Sequence, residues 1–197
     1  MRVNDSDIII KEKTEEQNMN KKKNVVVFDL DGTLMDTNHR EELREAGMWD
    51  AYNNECHKDT PIKDVVTLMN EYYEKGHQVW IMTGRSIEVE SKTIKSLEDA
   101  GANYHFLKMR GVGVKIPDYN LKPSWIVKYI GAENVVAAFD DREKVIENFK
   151  KKGVENVYDV TKGIPKDLLI NKIETPDLTI SLEAEESKIF KKQSMKP

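Results

Sequence analysis

The sequence predicts an α/β fold, a parallel β-sheet covered by helices on both faces. Short apolar runs alternate along the chain with stretches of helical periodicity, the pattern of strands joined by crossover helices. Glycines at 76, 101, 131 and 153 follow the helical stretches, where a helix needs a stop. The first apolar run, Val25-Val26-Val27-Phe28, has no polar alternation, which marks a strand buried on both sides.

The remaining elements follow from the same signals. A helix is expected over Ile62 to Lys75, stopping at Gly76, and a strand over Gln78 to Met82. The next helix runs from Ile87 to Ala100 and the next strand from Tyr104 to Met109. Pro123 opens a helix through Tyr129, because proline in a first turn forfeits no hydrogen bond. Val135 to Phe139 is another strand, Glu143 to Lys152 a helix, and Val157 to Val160 a last short strand. Residues 1–23 are polar and charged and are expected to be a flexible leader. Residues 24–168 form the domain, 36–60 a small lid within it, and 169–197 a C-terminal tail without alternation.

Composition bounds the function. The 197 residues are 39% hydrophobic and 34% charged, which suits one domain plus tails. A net charge of −4 provides no global basic field and argues against tight, sequence-independent binding of duplex nucleic acid. One cysteine, Cys56, excludes an internal disulfide and fits a reducing compartment. No apolar run approaches membrane-spanning length, and Ile8-Ile9-Ile10 is too short for a signal peptide core. The expected setting is the cytoplasm, a host's for a viral chain; the oligomeric state stays open.

Chemistry gathers at the strand ends. The first apolar run ends on Asp29-Leu30-Asp31-Gly32-Thr33, with two carboxylates where open α/β sheets bind ligands. Two such aspartates need a neutraliser, and a divalent cation is the economical one; a plain N-cap and turn is the alternative. Val135–Phe139 leads into Asp140-Asp141-Arg142, a second pair of hard oxygen ligands of the kind Mg²⁺ prefers. Thr83-Gly84-Arg85 follows the Gln78–Met82 strand. At a strand–helix junction its hydroxyl and N–H groups would receive an oxyanion, Gly84 allowing close approach, unless Thr83 or Ser86 simply caps the helix. Lys122 adds a cation after the loop at 111–121.

In this order the clusters resemble the haloacid dehalogenase (HAD) superfamily of phosphotransferases, over Val25 to Val160. The fold this implies is a Rossmann-like HAD fold with a minimal cap. Within the superfamily the chain is most similar to the polynucleotide 3′-phosphatase domain of bacteriophage-type polynucleotide kinases. Arg40 resembles the arginine of that family's Asn-Gly-Arg segment, with His39 in place of the glycine, and Arg85 the arginine of its Ser-Gly-Arg segment. Asp118 resembles the acid preceding its lysine, Trp125 the tryptophan beyond, and Met109-Arg110-Gly111 the start of an arginine-rich loop, whose following Gly-Asp is absent here. No Gly-x-x-x-x-Gly-Lys-Ser/Thr accompanies it, so a stand-alone phosphatase is expected.

The resemblance implies roles. Asp29 is the nucleophile, and Asp31 protonates the leaving oxygen and then deprotonates water. Mg²⁺ is held by Asp29, Asp140, Asp141 and the Asp31 backbone carbonyl. Phosphate and substrate are held by Thr83, Gly84, Lys122, Arg40, Arg85 and Asp118. Trp49, Tyr52 and Arg40 on the lid suit a terminal base and its phosphate, or else Trp49 and Tyr52 only pack the lid helix. Arg44, Lys108, Arg110 and Lys115 are expected on an open rim. The partner is then a phosphorylated substrate, a nucleic-acid 3′ end or a nucleotide, and no membrane. A small-molecule phosphatase such as a 5′-nucleotidase, or a non-catalytic binding module keeping the fold, are the competing readings.

Overall fold

The computed structural model describes residues 8–10, 24–165 and 168. In chain order come β1 (Ile8–Ile10), β2 (Val25–Phe28) and β3 (Met35–Asp36), then short helices α1 (Glu41–Glu45) and α2 (Trp49–Asn54), then β4 (Thr60–Pro61). Helix α3 (Lys63–Glu74) leads to β5 (Gln78–Ser86), α4 (Glu90–Asp99) to β6 (Phe106–Arg110), α5 (Asp118–Trp125) to β7 (Val135–Asp140) and α6 (Glu143–Lys151) to β8 (Val157–Asp159). The main sheet has the order β1-β6-β5-β2-β7-β8. Five strands run parallel, and β1 pairs antiparallel with β6 at the edge. Ile8–Ile10 therefore corrects the expectation of an unstructured leader at that point, whereas the expected tail at 169–197 lies outside the described residues.

Both faces of β2 are covered, which is why it has no polar alternation. Val26 and Phe28 enter one core with Leu68 and Tyr72 of α3 and Leu97 of α4. Val25 and Val27 enter the other, with Trp125 of α5 and Val145 and Phe149 of α6. Phe28 stacks on Phe139 of the neighbouring strand at a centroid distance of 4.6 Å. A bulge between Val25 and Val26 shifts the β2–β7 register, so Val26 faces Ala137 and Phe28 faces Phe139.

Two elements differ from expectation. Strand β5 continues past Met82 through Thr83-Gly84-Arg85 to Ser86, whose Oγ accepts the Glu88 N–H at 3.3 Å and caps the turn Ile87–Val89. The cap is Ser86, not Thr83, and the Thr83–Arg85 segment is extended rather than a strand–helix junction. Helix α5 begins at Asp118, so Pro123 lies inside it instead of opening it. Proline there leaves the Tyr119 carbonyl without its helical donor, and Asn148 of α6 supplies one at 2.6 Å. A tertiary contact repairs what the local sequence breaks. The helix then widens through Ile126–Ile130 and stops at Gly131, at φ 84°.

Residues 36–60 are closed at their base by the two-residue ladder of β3 and β4, Met35 opposite Pro61 and Asp36 opposite Thr60. The two short helices between them form a minimal cap that buries Arg40, Tyr52 and Cys56. Among the described residues no helix is long and apolar enough to cross a membrane.

Candidate active site

Strand β2 lies between β5 and β7, so the chain winds outward on both sides of it and leaves a crevice at its carboxyl end. Asp29 and Asp31 follow β2, Thr83 and Arg85 lie on β5, and Asp140 ends β7. The sheet alone converges them.

Asp29, Asp140 and Asp141 each offer a carboxylate oxygen within 4.8 Å of the others. Lys122 donates to Asp29 and, at 2.8 Å, to Asp140, all three side chains being buried. Burial pushes the Asp29 carboxyl well above the usual range, and Asp140, Asp141 and Asp31 add to the push while Lys122 opposes it. Burial and Asp140 likewise push Asp141 up, and its Oδ1 is buried without a partner. Against burial, Asp140 and Asp29 hold the Lys122 ammonium above its ordinary range. One lysine thus faces three crowded carboxylates with an orphaned oxygen, an oxygen donor set that fits a divalent cation. Gly32 completes the pocket: at φ 84° it has no side chain, and a Cβ there would lie 2.5 Å from Asp141 Oδ2.

Asp31 occupies a separate pocket. Arg85 donates to it from Nε at 3.0 Å and from Nη2 at 2.7 Å, Arg40 Nη2 at 2.5 Å and Thr83 Oγ1 at 3.3 Å. Burial alone would raise its pKa, but Arg85 and Arg40 hold it down to about 2. Asp59 balances the two guanidiniums, accepting from Arg40 Nε and Nη2, each at 2.7 Å, and from Arg85 Nη2. Arg40 also donates to the Tyr52 carbonyl at 3.0 Å, and its guanidinium lies 3.9 Å from the centre of the Tyr52 ring. Arg40 and Arg85 are both 1% exposed, and their guanidiniums are bonded to Asp31 and Asp59. Asp59 supplies the second carboxylate that two buried guanidiniums need.

A third group frames the floor. Asp118 accepts from Arg110 and, at 2.8 Å, from Arg142 Nη1. A Cβ on Gly84 would meet Asp118 Oδ1 at 2.5 Å, so this glycine admits the start of α5. Arg110 also holds the Gly84 carbonyl at 2.9 Å and the Val114 and Ile116 carbonyls at 3.1 and 2.5 Å, stapling its own loop. Lys108 is fully buried, with Nζ 5.5 Å from the Trp125 ring centre and 5.4 Å from that of Tyr129. Neither Arg110 nor Lys108 is the rim cation expected from the sequence, because each turns inward to partners the fold provides. Lys115 is exposed, and Arg44 is half-exposed and paired with Glu41.

The family described as the polynucleotide kinase PNKP phosphatase domain matches residues 23–163, most of the chain. The chain belongs to this family. It is a HAD-type phosphatase. No curated protein sequence matches it. Among solved structures, a chain of a Pnkp1/Rnl/Hen1 RNA repair complex is 22% identical with a TM-score of 0.60, covering 68% of this chain and 41% of that one. A second Pnkp1/Rnl/Hen1 complex matches at 20% identity and TM-score 0.60, over 75% of this chain and 50% of the other. A Clostridium difficile protein assigned as a phosphatase matches at 14% identity and TM-score 0.52, over 70% and 85%. These likenesses establish the HAD fold. The chain spans half or less of the chains it matches in the two Pnkp1/Rnl/Hen1 complexes.

The fold of this phosphatase brings Asp29, Asp31, Arg40, Thr83, Arg85, Asp118, Lys122, Asp140 and Asp141 toward the carboxyl ends of the strands, in three separate groups. Asp59 was missed altogether: an acid in a polar lid reads as solvated, and no local spacing betrays a partner at Arg85, 26 residues away. Arg142 was noted only as part of its acidic run. Its guanidinium is held up by Asp29, Asp118 and Asp141 against burial, and its side chain is 39% exposed, which makes it the arginine of the floor that still faces outward.

Proposed function

We propose that this phosphatase is a Mg²⁺-dependent phosphomonoester hydrolase that works through a covalent Asp29 phosphate, and that its substrate is the 3′-phosphate end of a polynucleotide. The observation that carries the chemistry is the cluster of Asp29, Asp140 and Asp141 beside Lys122 at the crevice. Mg²⁺ bound to those three carboxylates and the Asp31 backbone carbonyl would supply positive charge beside the transferring group. Asp29 attacks phosphorus, forming an O–P bond as the bond to the ester oxygen breaks, and the leaving alkoxide takes a proton from Asp31. A water then loses its proton to Asp31 and attacks phosphorus, breaking the Asp29 O–P bond and releasing phosphate. Lys122 faces the charge on the non-bridging oxygens. Free of ligand, Asp31 is held ionised by Arg85 and Arg40, ready as a base. A phosphate bound beside it adds negative charge and raises its proton affinity for the acid half.

The family match supports the substrate, as does the similarity to a chain of a Pnkp1/Rnl/Hen1 RNA repair complex. The test is phosphate release from a 3′-phosphorylated oligonucleotide, a 5′-phosphorylated one and a set of mononucleotides, with Mg²⁺ and with EDTA. The 3′-phosphorylated oligonucleotide should have the highest kcat/KM, EDTA should abolish turnover, and Asp29→Asn should be folded and inactive. A preference for 5′-mononucleotides would replace this reading with a nucleotidase.

A further inference from the structure

The cap presents a large aromatic side chain to solvent for which its own packing has no use. Tyr52 and Cys56 fill the inside of the cap, while Trp49 is 55% exposed and its neighbour Met48 53%. The indole stands edge-on to the Tyr52 ring at a centroid distance of 5.9 Å. Tyr52 in turn covers the guanidinium of Arg40, which is bonded to Asp31. Two side chains therefore separate an open indole from the carboxylate that serves the leaving group.

We propose that Trp49 is the stacking platform for the base of the terminal nucleotide of a single-stranded substrate. The inference rests on the polynucleotide 3′-phosphatase reading and names the form of the substrate. Aromatic faces hold single strands by stacking, since every base offers a π-face whatever its sequence. A base inside a duplex has both faces covered and a blunt-end base has one, whereas an unpaired terminal base can turn either face onto a protruding indole. The net charge of −4 likewise leaves the hold on the strand to such local contacts. Arg40, the cation on the Tyr52 ring, is committed to Asp31 and Asp59, so the strand is held by stacking on Trp49.

The molecule carries its own reporter. Trp80 and Trp125 are 5% and 1% exposed, so quenching of tryptophan fluorescence by acrylamide reads Trp49. The Asp29→Asn protein with Mg²⁺ is titrated with a short single-stranded oligonucleotide ending in a 3′-phosphate, and with the same oligonucleotide lacking its terminal base. The base-bearing strand should shield the indole from acrylamide and the abasic one should not. In the active enzyme, Trp49→Ala should raise KM for the base-bearing strand about tenfold relative to the abasic one, and Trp49→Phe should restore most of the difference. An indole that stays open to acrylamide with the strand bound, or a Trp49→Ala effect equal on both strands, overturns the platform and leaves the 3′-phosphatase reading standing. Absence of phosphate release from any oligonucleotide by the unsubstituted enzyme overturns that reading and the platform with it.

Discussion

Replacing Asp59 with alanine probes the pocket that holds Asp31. Its carboxylate is wholly buried and takes two hydrogen bonds of 2.7 Å from Arg40, one from Arg85 and a contact of 2.8 Å with His39 Nε2. Two buried guanidiniums are balanced there by two carboxylates, Asp31 and Asp59. Alanine leaves both cations facing Asp31 alone, and removing one partner of a buried ion pair costs about 3–5 kcal/mol, chiefly because the remaining charge is stranded. For a domain of this size that corresponds to a fall in Tm on the order of 10 °C. Asp59→Asn retains an acceptor and the volume, so it should lose less. Urea unfolding followed by circular dichroism measures both. A loss below about 1 kcal/mol for Asp59→Ala, the range of an exposed ion pair, would refute the claim that this carboxylate balances the pocket. Activity gives a second readout: with Arg40 and Arg85 no longer shared, Asp31 is gripped harder, and kcat should fall with KM nearly unchanged.

The other predictions concern the metal, the floor and acid stability. Mg²⁺ should raise the Tm of the unsubstituted protein by relieving the repulsion among Asp29, Asp140 and Asp141, and Asp140→Ala should lose that rise together with activity; an equal rise in the variant would place the cation elsewhere. Gly84→Ala puts a methyl group 2.5 Å from the Asp118 carboxylate and should cost about 1–3 kcal/mol in urea unfolding, with loss of turnover as Asp118 releases Arg142; a variant as stable and active as the parent would show that α5 yields freely. Asp31, held down to about 2, contributes stability that is complete above its unfolded value near 4 and is lost as pH falls through about 2. Stability measured from pH 5 to pH 2 should therefore decline more steeply in the unsubstituted protein than in Asp31→Asn, by roughly 2 kcal/mol across the window, and parallel curves would contradict the Arg85 and Arg40 contacts.

The α/β alternation, the buried first strand and the carboxylates at the strand ends could be read from sequence because each is a local signal. Val25–Phe28 is apolar throughout since it is covered on both faces, and Asp29, Asp31 and Asp140 stand out because charge directly after such a strand must be put to use. Helix ends were legible where glycine marks them, at Gly76, Gly101 and Gly153. The start of α5 was not, because Pro123 reads as a beginning until Asn148, on another helix, is seen to satisfy the carbonyl that proline leaves open.

What each charged side chain does was decided by the tertiary structure. Which residues meet at the crevice follows from local sequence, since the order of strands in a doubly wound sheet carries their ends together. Local sequence did not determine which carboxylate each cation takes. Arg40 and Arg85 could have paired with Asp31 alone, and Lys108 and Arg110 could have lined the rim. Asp59, the aromatic rings of Trp125 and Tyr129, and the carbonyls of the loop at 111–117 took them instead. The physical reason is that a charge is assigned by the nearest opposite charge or acceptor available once water is excluded, and those partners come from segments far apart in the chain.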